Sequence, residues 1–116
     1  TLTRAGCVID AADVQATLLE FTAMSLADAV SRECGGAQEL YVCGGGAHNS
    51  ALMKRIGARL PGLKVATTAA LGIDPDWVEA LAFAWLARQT MHHAPGNLPA
   101  VTGARGERVL GAIYPG

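Results

Sequence analysis

The sequence predicts an α/β unit with a small sheet and three main helices, and three observations predict it. Helix-like and strand-like segments alternate as helix, strand, helix, strand, helix, which is the pattern of a layered α/β unit. A glycine stretch, Gly44-Gly45-Gly46, stands between a short apolar run and a capped helix start. The composition is that of a packed chain, with 51% apolar and 16% charged residues among 116, against about 25% charged in an average globular protein.

The first helix is predicted over residues 10–33. Asp10 is a suitable N-cap. Asp13, Thr17, Glu20, Asp28 and Ser31 share one stripe at helical spacing, and apolar residues from Val14 to Val30 fill most of the rest. So much apolar surface predicts burial on more than one side. Gly35-Gly36 ends the helix. Leu40-Tyr41-Val42-Cys43 reads as a buried strand, and Asn49 or Ser50 can cap a second helix over residues 51–60. Pro61-Gly62 stops that helix, and residues 64–68 read as a further strand. Asp74-Pro75-Asp76 has the form of a helix start, so the third helix is predicted over residues 75–91, with His92-His93 at its frayed end. The tail reads as loop, with one strand candidate over residues 108–113.

Charge and cysteine content narrow the function classes. The net charge of −1 argues against a general electrostatic grip on nucleic acid or an anionic membrane. No apolar run approaches the roughly 20 residues of a membrane span, and no basic-then-apolar leader is present. Cys7, Cys34 and Cys43 are widely spaced without a CxxC, which fits a reduced, cytoplasmic chain rather than a zinc site or a disulfide framework. The chain opens at Thr1, which points to a trimmed chain or a fragment. Lys54, Arg55, Arg59 and Lys64 form a basic block, free of acids, just after the glycine stretch. It reads either as a solvated helix face or as a source of positive potential near an anionic ligand.

Two signals carry chemistry. Glycine permits positive φ and close approach of a ligand to the backbone, and a strand-to-helix turn presents N–H groups to anions. The Gly44-Gly45-Gly46 stretch therefore fits a phosphate or nucleotide cradle, and it equally fits a plain tight turn. It lacks the P-loop lysine and the dinucleotide fingerprint. Glu79 is the one ionisable residue between Trp77 and Ala87. A carboxylate on a helix this apolar needs a partner or a wet cleft. It reads as a ligand-facing acid, or as a half-exposed acid in the second helical turn favoured by the helix dipole. Gln15 and Thr22 lie on the less polar side of the first helix, as a buried polar pair or a contact to a neighbouring segment. Residues 97–104 form a loop that could line a site.

Several motifs in register then resemble one family. Asp13-Val14-Gln15-Ala16-Thr17-Leu18, Val42-Cys43-Gly44-Gly45-Gly46-Ala47-His48-Asn49, Glu79-Ala80-Leu81-Ala82-Phe83-Ala84-Trp85-Leu86-Ala87, Gly96-Asn97-Leu98-Pro99 and Val109-Leu110-Gly111-Ala112-Ile113-Tyr114-Pro115 are similar to the carboxy-terminal third of anhydro-N-acetylmuramic acid kinases. The resemblance covers nearly the whole chain. It implies that residues 1–116 are a carboxy-terminal nucleotide-binding lobe, a partial ribonuclease H-like lobe of the actin-like ATPase and sugar kinase fold. It implies ATP and Mg²⁺ as cofactors and a reaction that opens the 1,6-anhydro bridge of a recycled cell-wall sugar with water and phosphorylates its 6-oxygen. Gly44, Gly45, Gly46 and Asn49 match the nucleotide-binding stretch, and Glu79 matches an acid facing the sugar. The family's phosphate loop of the SGTSxDG kind and its general-base aspartate have no counterpart in these residues, so no catalytic residue is assigned here and the 116 residues alone are expected to be inactive. The missing amino-terminal lobe, or a second subunit in a homodimer, is expected to cover the apolar helices. A free-standing nucleotide-binding or interaction module of the same fold is the alternative, and a different sugar kinase of that fold is a third reading.

Overall fold

A computed structural model describes residues 2–4 and 7–114, with side chains from Ile9 onward. It divides into two compact units, Thr1–Pro75 and Asp76–Gly116. The first opens on a hairpin, β1 (Leu2–Arg4) against β2 (Cys7–Ile9), antiparallel with Thr3 opposite Val8. The sequence offered no sign of it, because each strand is only three residues long. Helix α1 (Ala11–Glu33) follows, and the Asp10 carboxylate accepts the Ala12 N–H at 3.2 Å as its N-cap. Gly36, at φ +90°, carries the chain away from its end.

Strand β3 (Glu39–Val42), helix α2 (Ser50–Arg59) and strand β4 (Lys64–Thr67) form a βαβ unit. The strands are parallel, pairing Leu40 with Val65 and Val42 with Thr67. Two separate strand pairs thus stand where the sequence predicted a single small sheet. The core lies between α1 and α2, where Ala23 and Ala27 meet Ile56 and Leu60. Ala23 and Ala27 are four apart and share one helix face. Leu40 and Val65 pack on this cluster from the strands.

The rest of α1 is not covered. Leu18 and Phe21 are 55% and 61% exposed, contrary to the burial on several sides that its composition predicts.

In the second unit the predicted third helix begins differently. Pro75–Trp77 is a 3₁₀ turn and the α-helix α3 runs Val78–Met91, with Trp77 rather than Asp74 at its N-cap. Short 3₁₀ turns often precede α-helices because their i→i+3 bonds tighten the entry. Glu79 therefore lies in the first turn of α3, not the second. No residue of α3 is buried. The predicted strand over residues 108–113 is absent: its backbone has no partner strand and is tied only at single points, such as the Gly96 N–H donating to the Arg108 carbonyl at 3.0 Å.

The loop over residues 97–104 contains a helical turn, α4 (Pro99–Thr102). Asn97 closes it, donating to the Gly106 carbonyl at 3.1 Å and accepting the Arg108 N–H at 2.6 Å. Thr90 Oγ1 donates to the Leu110 carbonyl and holds the tail along the last turns of α3. No described helix is long and apolar enough to cross a membrane.

Candidate functional site

The glycine turn sits at the C-terminal end of β3, the end at which open parallel sheets take up ligands. Gly44 has φ +73° and ψ −175°, a conformation in which glycine alone is unstrained. Its N–H donates to the Pro75 carbonyl at 2.9 Å, which pins the start of the turn. Gly45–His48 then forms one 3₁₀ turn. The N–H groups of Gly45 and Gly46 have no acceptor among the described residues. A Cβ built on Gly45 would meet nothing within 4 Å, whereas one on Gly46 would lie 3.6 Å from Leu52 Cδ2. The face beside Gly45 is therefore open, and its two unsatisfied donors are available to an anion.

Asn49 has a structural task. Its Oδ1 accepts the Leu52 N–H at 3.0 Å and caps α2. Capping uses the oxygen and leaves the amide NH₂ to other acceptors. Asn49 also lines a cavity of about 330 Å³ with Gln15, Leu18, Leu19, Thr22 and Leu52, where α1 faces the start of α2. Gln15 and Thr22 are thus solvent-exposed and meet at this cavity, not in a buried pair. Composition marked them as polar residues on an apolar side. Only the packing of α1 on α2 shows that they flank the residue following the glycine turn.

The basic block is largely spent on structure. Glu20 takes the Arg59 Nε at 2.8 Å and the Arg55 Nε at 2.5 Å, joining α1 to α2. Glu39 takes the Tyr41 hydroxyl at 2.7 Å and the Lys64 ammonium at 3.0 Å, bracing β3 against β4. The hydrogen bond from Arg59, reinforced by the charges of Arg55 and Arg59, holds the Glu20 carboxyl below the ordinary value of 4.5. Hydrogen bonds from Tyr41 and Lys64 do the same to Glu39, and Glu39 in turn raises both of them. At Arg55 and Arg59 the basic block is a helix face paired to Glu20, whereas Lys64 stands on β4, paired to Glu39.

Glu79 is exposed near the start of α3 and has no hydrogen bond or ion pair among the described residues. Trp77, Leu81 and Phe83 around it are more than half exposed. The covering on most faces that the apolar sequence implies is not supplied by these residues. Cys34 and Cys43 are free thiols.

Strand, glycine turn, capped helix and parallel return strand define an α/β protein whose turn offers bare backbone donors. A model of the anhydro-N-acetylmuramic acid kinase family matches residues 1–116. The chain is 74% identical over 115 residues to the anhydro-N-acetylmuramic acid kinase of Thiobacillus denitrificans, covering 99% of this chain and 31% of that protein. It is 59% identical over 103 residues to the enzyme of that name from Nitrosomonas europaea, covering 89% of this chain and 28% of that protein. With the Pseudomonas putida enzyme it shares 58% over 105 residues, 90% of this chain and 29% of the other. The chain belongs to the anhydro-N-acetylmuramic acid kinase family, and it spans about 30% of the length of these relatives.

Proposed function

We propose that residues 1–116 are the carboxy-terminal nucleotide-binding lobe of a cytoplasmic kinase for 1,6-anhydro-N-acetylmuramic acid, with the partial ribonuclease H-like architecture of actin-like ATPases and sugar kinases. Water adds at C1 and opens the anhydro bridge. The freed 6-oxygen takes the γ-phosphoryl group, and ADP leaves. ATP supplies that group, with Mg²⁺ neutralising the phosphate charge as it transfers. Among the described residues no group of three His, Cys, Asp or Glu side chains gathers to hold a cation, so no magnesium ligand is assigned to them.

The observation that carries the proposal is the open face at Gly45, with the N–H groups of Gly45 and Gly46 unsatisfied at the end of a parallel strand. Bare peptide donors there accept the nucleotide, with Gly44 setting the turn and Asn49 at its rim. Glu79 accepts hydrogen bonds from the sugar hydroxyls and orients the reacting groups. The exposed faces of α1 and α3 are covered by the amino-terminal lobe or by a second copy, and the lobe brings the phosphate loop and the general base. Phosphoryl transfer requires those parts together, so the 116 residues alone have no turnover with ATP, Mg²⁺ and the anhydro sugar.

Calorimetry of ADP binding to the full-length protein tests the nucleotide assignment. Gly45→Val adds a side chain where the chain itself leaves room, so any loss of affinity reports on the ligand rather than on the fold. ADP affinity is expected to fall at least tenfold. Glu79→Ala is expected to keep ADP affinity and lose turnover. Unchanged affinity in Gly45→Val would remove the glycine turn from the nucleotide site.

A further inference from the structure

The three glycines at the end of β3 need an anchor that their own sequence does not supply. Glycine loses more backbone freedom on ordering than any other residue, so Gly44-Gly45-Gly46 in succession resists settling into one conformation. Inside the turn, the Ala47 N–H donates to the Gly44 carbonyl at 2.9 Å and the Asn49 N–H donates to the Gly46 carbonyl at 3.1 Å. Both bonds close the turn on itself. The Gly44 N–H reaches out of it, to the Pro75 carbonyl at 2.9 Å.

Pro75 is suited to hold that carbonyl still. It is buried, and its ring locks φ near about −65°. It is also the first residue of the 3₁₀ turn Pro75–Trp77, which runs directly into α3 at Val78. Proline at a first helical position is already in the conformation required, and it lacks the N–H that would have no partner there. Glu79 stands in the first turn of the helix that follows. One buried residue thus carries the acceptor for the glycine turn and opens the element that bears Glu79.

We propose that Pro75 is a positioning residue shared by the glycine turn and Glu79, which rests on the nucleotide and sugar readings of those two groups given above. It acts through Gly44 and through the entry to α3 rather than by touching either ligand. Its carbonyl keeps Gly44 at φ +73°, so the open N–H groups of Gly45 and Gly46 are set before the nucleotide arrives. Ordering a loop in advance spares the ligand that entropy cost on binding. Loosening Pro75 weakens both sites together, whereas losing a ligand contact weakens one.

The test is made on the full-length protein, with calorimetry for ADP affinity and steady-state kinetics for the KM of the anhydro sugar. Pro75→Ala keeps the carbonyl, frees φ and adds a buried N–H without an acceptor. Pro75→Gly frees the backbone further. Pro75→Ala is expected to weaken ADP about threefold and to raise the sugar KM by a similar factor, and Pro75→Gly to do more of both. Hydrogen exchange in the peptide containing Gly44 should quicken in the same order. Ile56→Val lowers thermal stability from the contact between α1 and α2, and it is expected to leave ADP affinity and sugar KM at the parent's values. If the Pro75 variants lose thermal stability while both constants hold, Pro75 is merely structural and the proposal is overturned. A change in ADP affinity with an unchanged sugar KM overturns the shared role as well. If Gly45→Val loses ADP while the Pro75 variants bind it as the parent does, the positioning role falls and the nucleotide reading stands. If none of the three alters ADP affinity, both fall.

Discussion

The two compact units differ in how they hold themselves together. In Thr1–Pro75, α1 and α2 meet through Ala23, Ala27, Ile56 and Leu60, and Glu20 and Glu39 tie helices and strands with ion pairs. In Asp76–Gly116 no described residue is buried, and the tail is held to α3 by hydrogen bonds from Thr90 and Gln89. Its large side chains face water: Phe83 is 63% and Met91 67% exposed. The first unit has its own interior. The second has the composition of an interior without the matching half, and apolar surface on this scale ordinarily marks a contact face.

Paired truncations give the largest expected effect and could break this comparison. Ile56→Ala removes the one large side chain that is fully enclosed among the described residues, and should cost about 2–4 kcal/mol in urea unfolding of the chain. Phe83→Ala should change the same measurement by less than about 0.5 kcal/mol, as at other surface positions. Equal costs would mean that α3 is covered when the chain is alone in solution. Asn49→Ala sharpens the comparison within the first unit. It removes the α2 cap and should cost about 1 kcal/mol, while Asn49→Asp, which keeps a capping oxygen, should stay near the parent.

The smallest effect is a pH dependence confined to the first unit. Glu20 and Glu39 titrate below 4.5 in the folded chain. A carboxyl lowered by folding stabilises fully above its unfolded value, and that contribution goes as pH falls through the lower folded value. Unfolding midpoints should therefore drop as pH falls below about 4.5. At the alkaline end Lys64 and Tyr41 are raised above 10.5 and 10.0, so their contribution is full below those values and goes as pH rises past them. Glu39→Gln should flatten both limbs. A variant that keeps the full acid response would shift the cause to other groups.

Much of the architecture was legible because local chemistry decided it. Asp10 and Asn49 cap the helices that their types predicted, and Gly44 has the positive φ that its glycine allowed. The β1–β2 hairpin was hidden because three-residue strands carry no periodicity. Residues 108–113 looked like a strand from their apolar run, but a strand exists only where a second backbone pairs with it. Burial departs from composition for the same reason: Leu18, Phe21 and the α3 side chains have core composition, and none of the described residues buries them. In the candidate site the glycine turn was visible as a motif. The grouping of Gln15 and Thr22 with Asn49 was not, because it depends on how two helices pack across more than 25 residues of sequence.

Ala23 and Ala27 have a consequence that reaches beyond stability. Their methyl groups act as thin spacers between α1 and α2, and the crevice edged by Gln15 and Thr22 lies between the same two helices. Bulkier residues at these two places would prise the helices apart like a wedge. The width of that crevice is thus governed by two alanines that never line it.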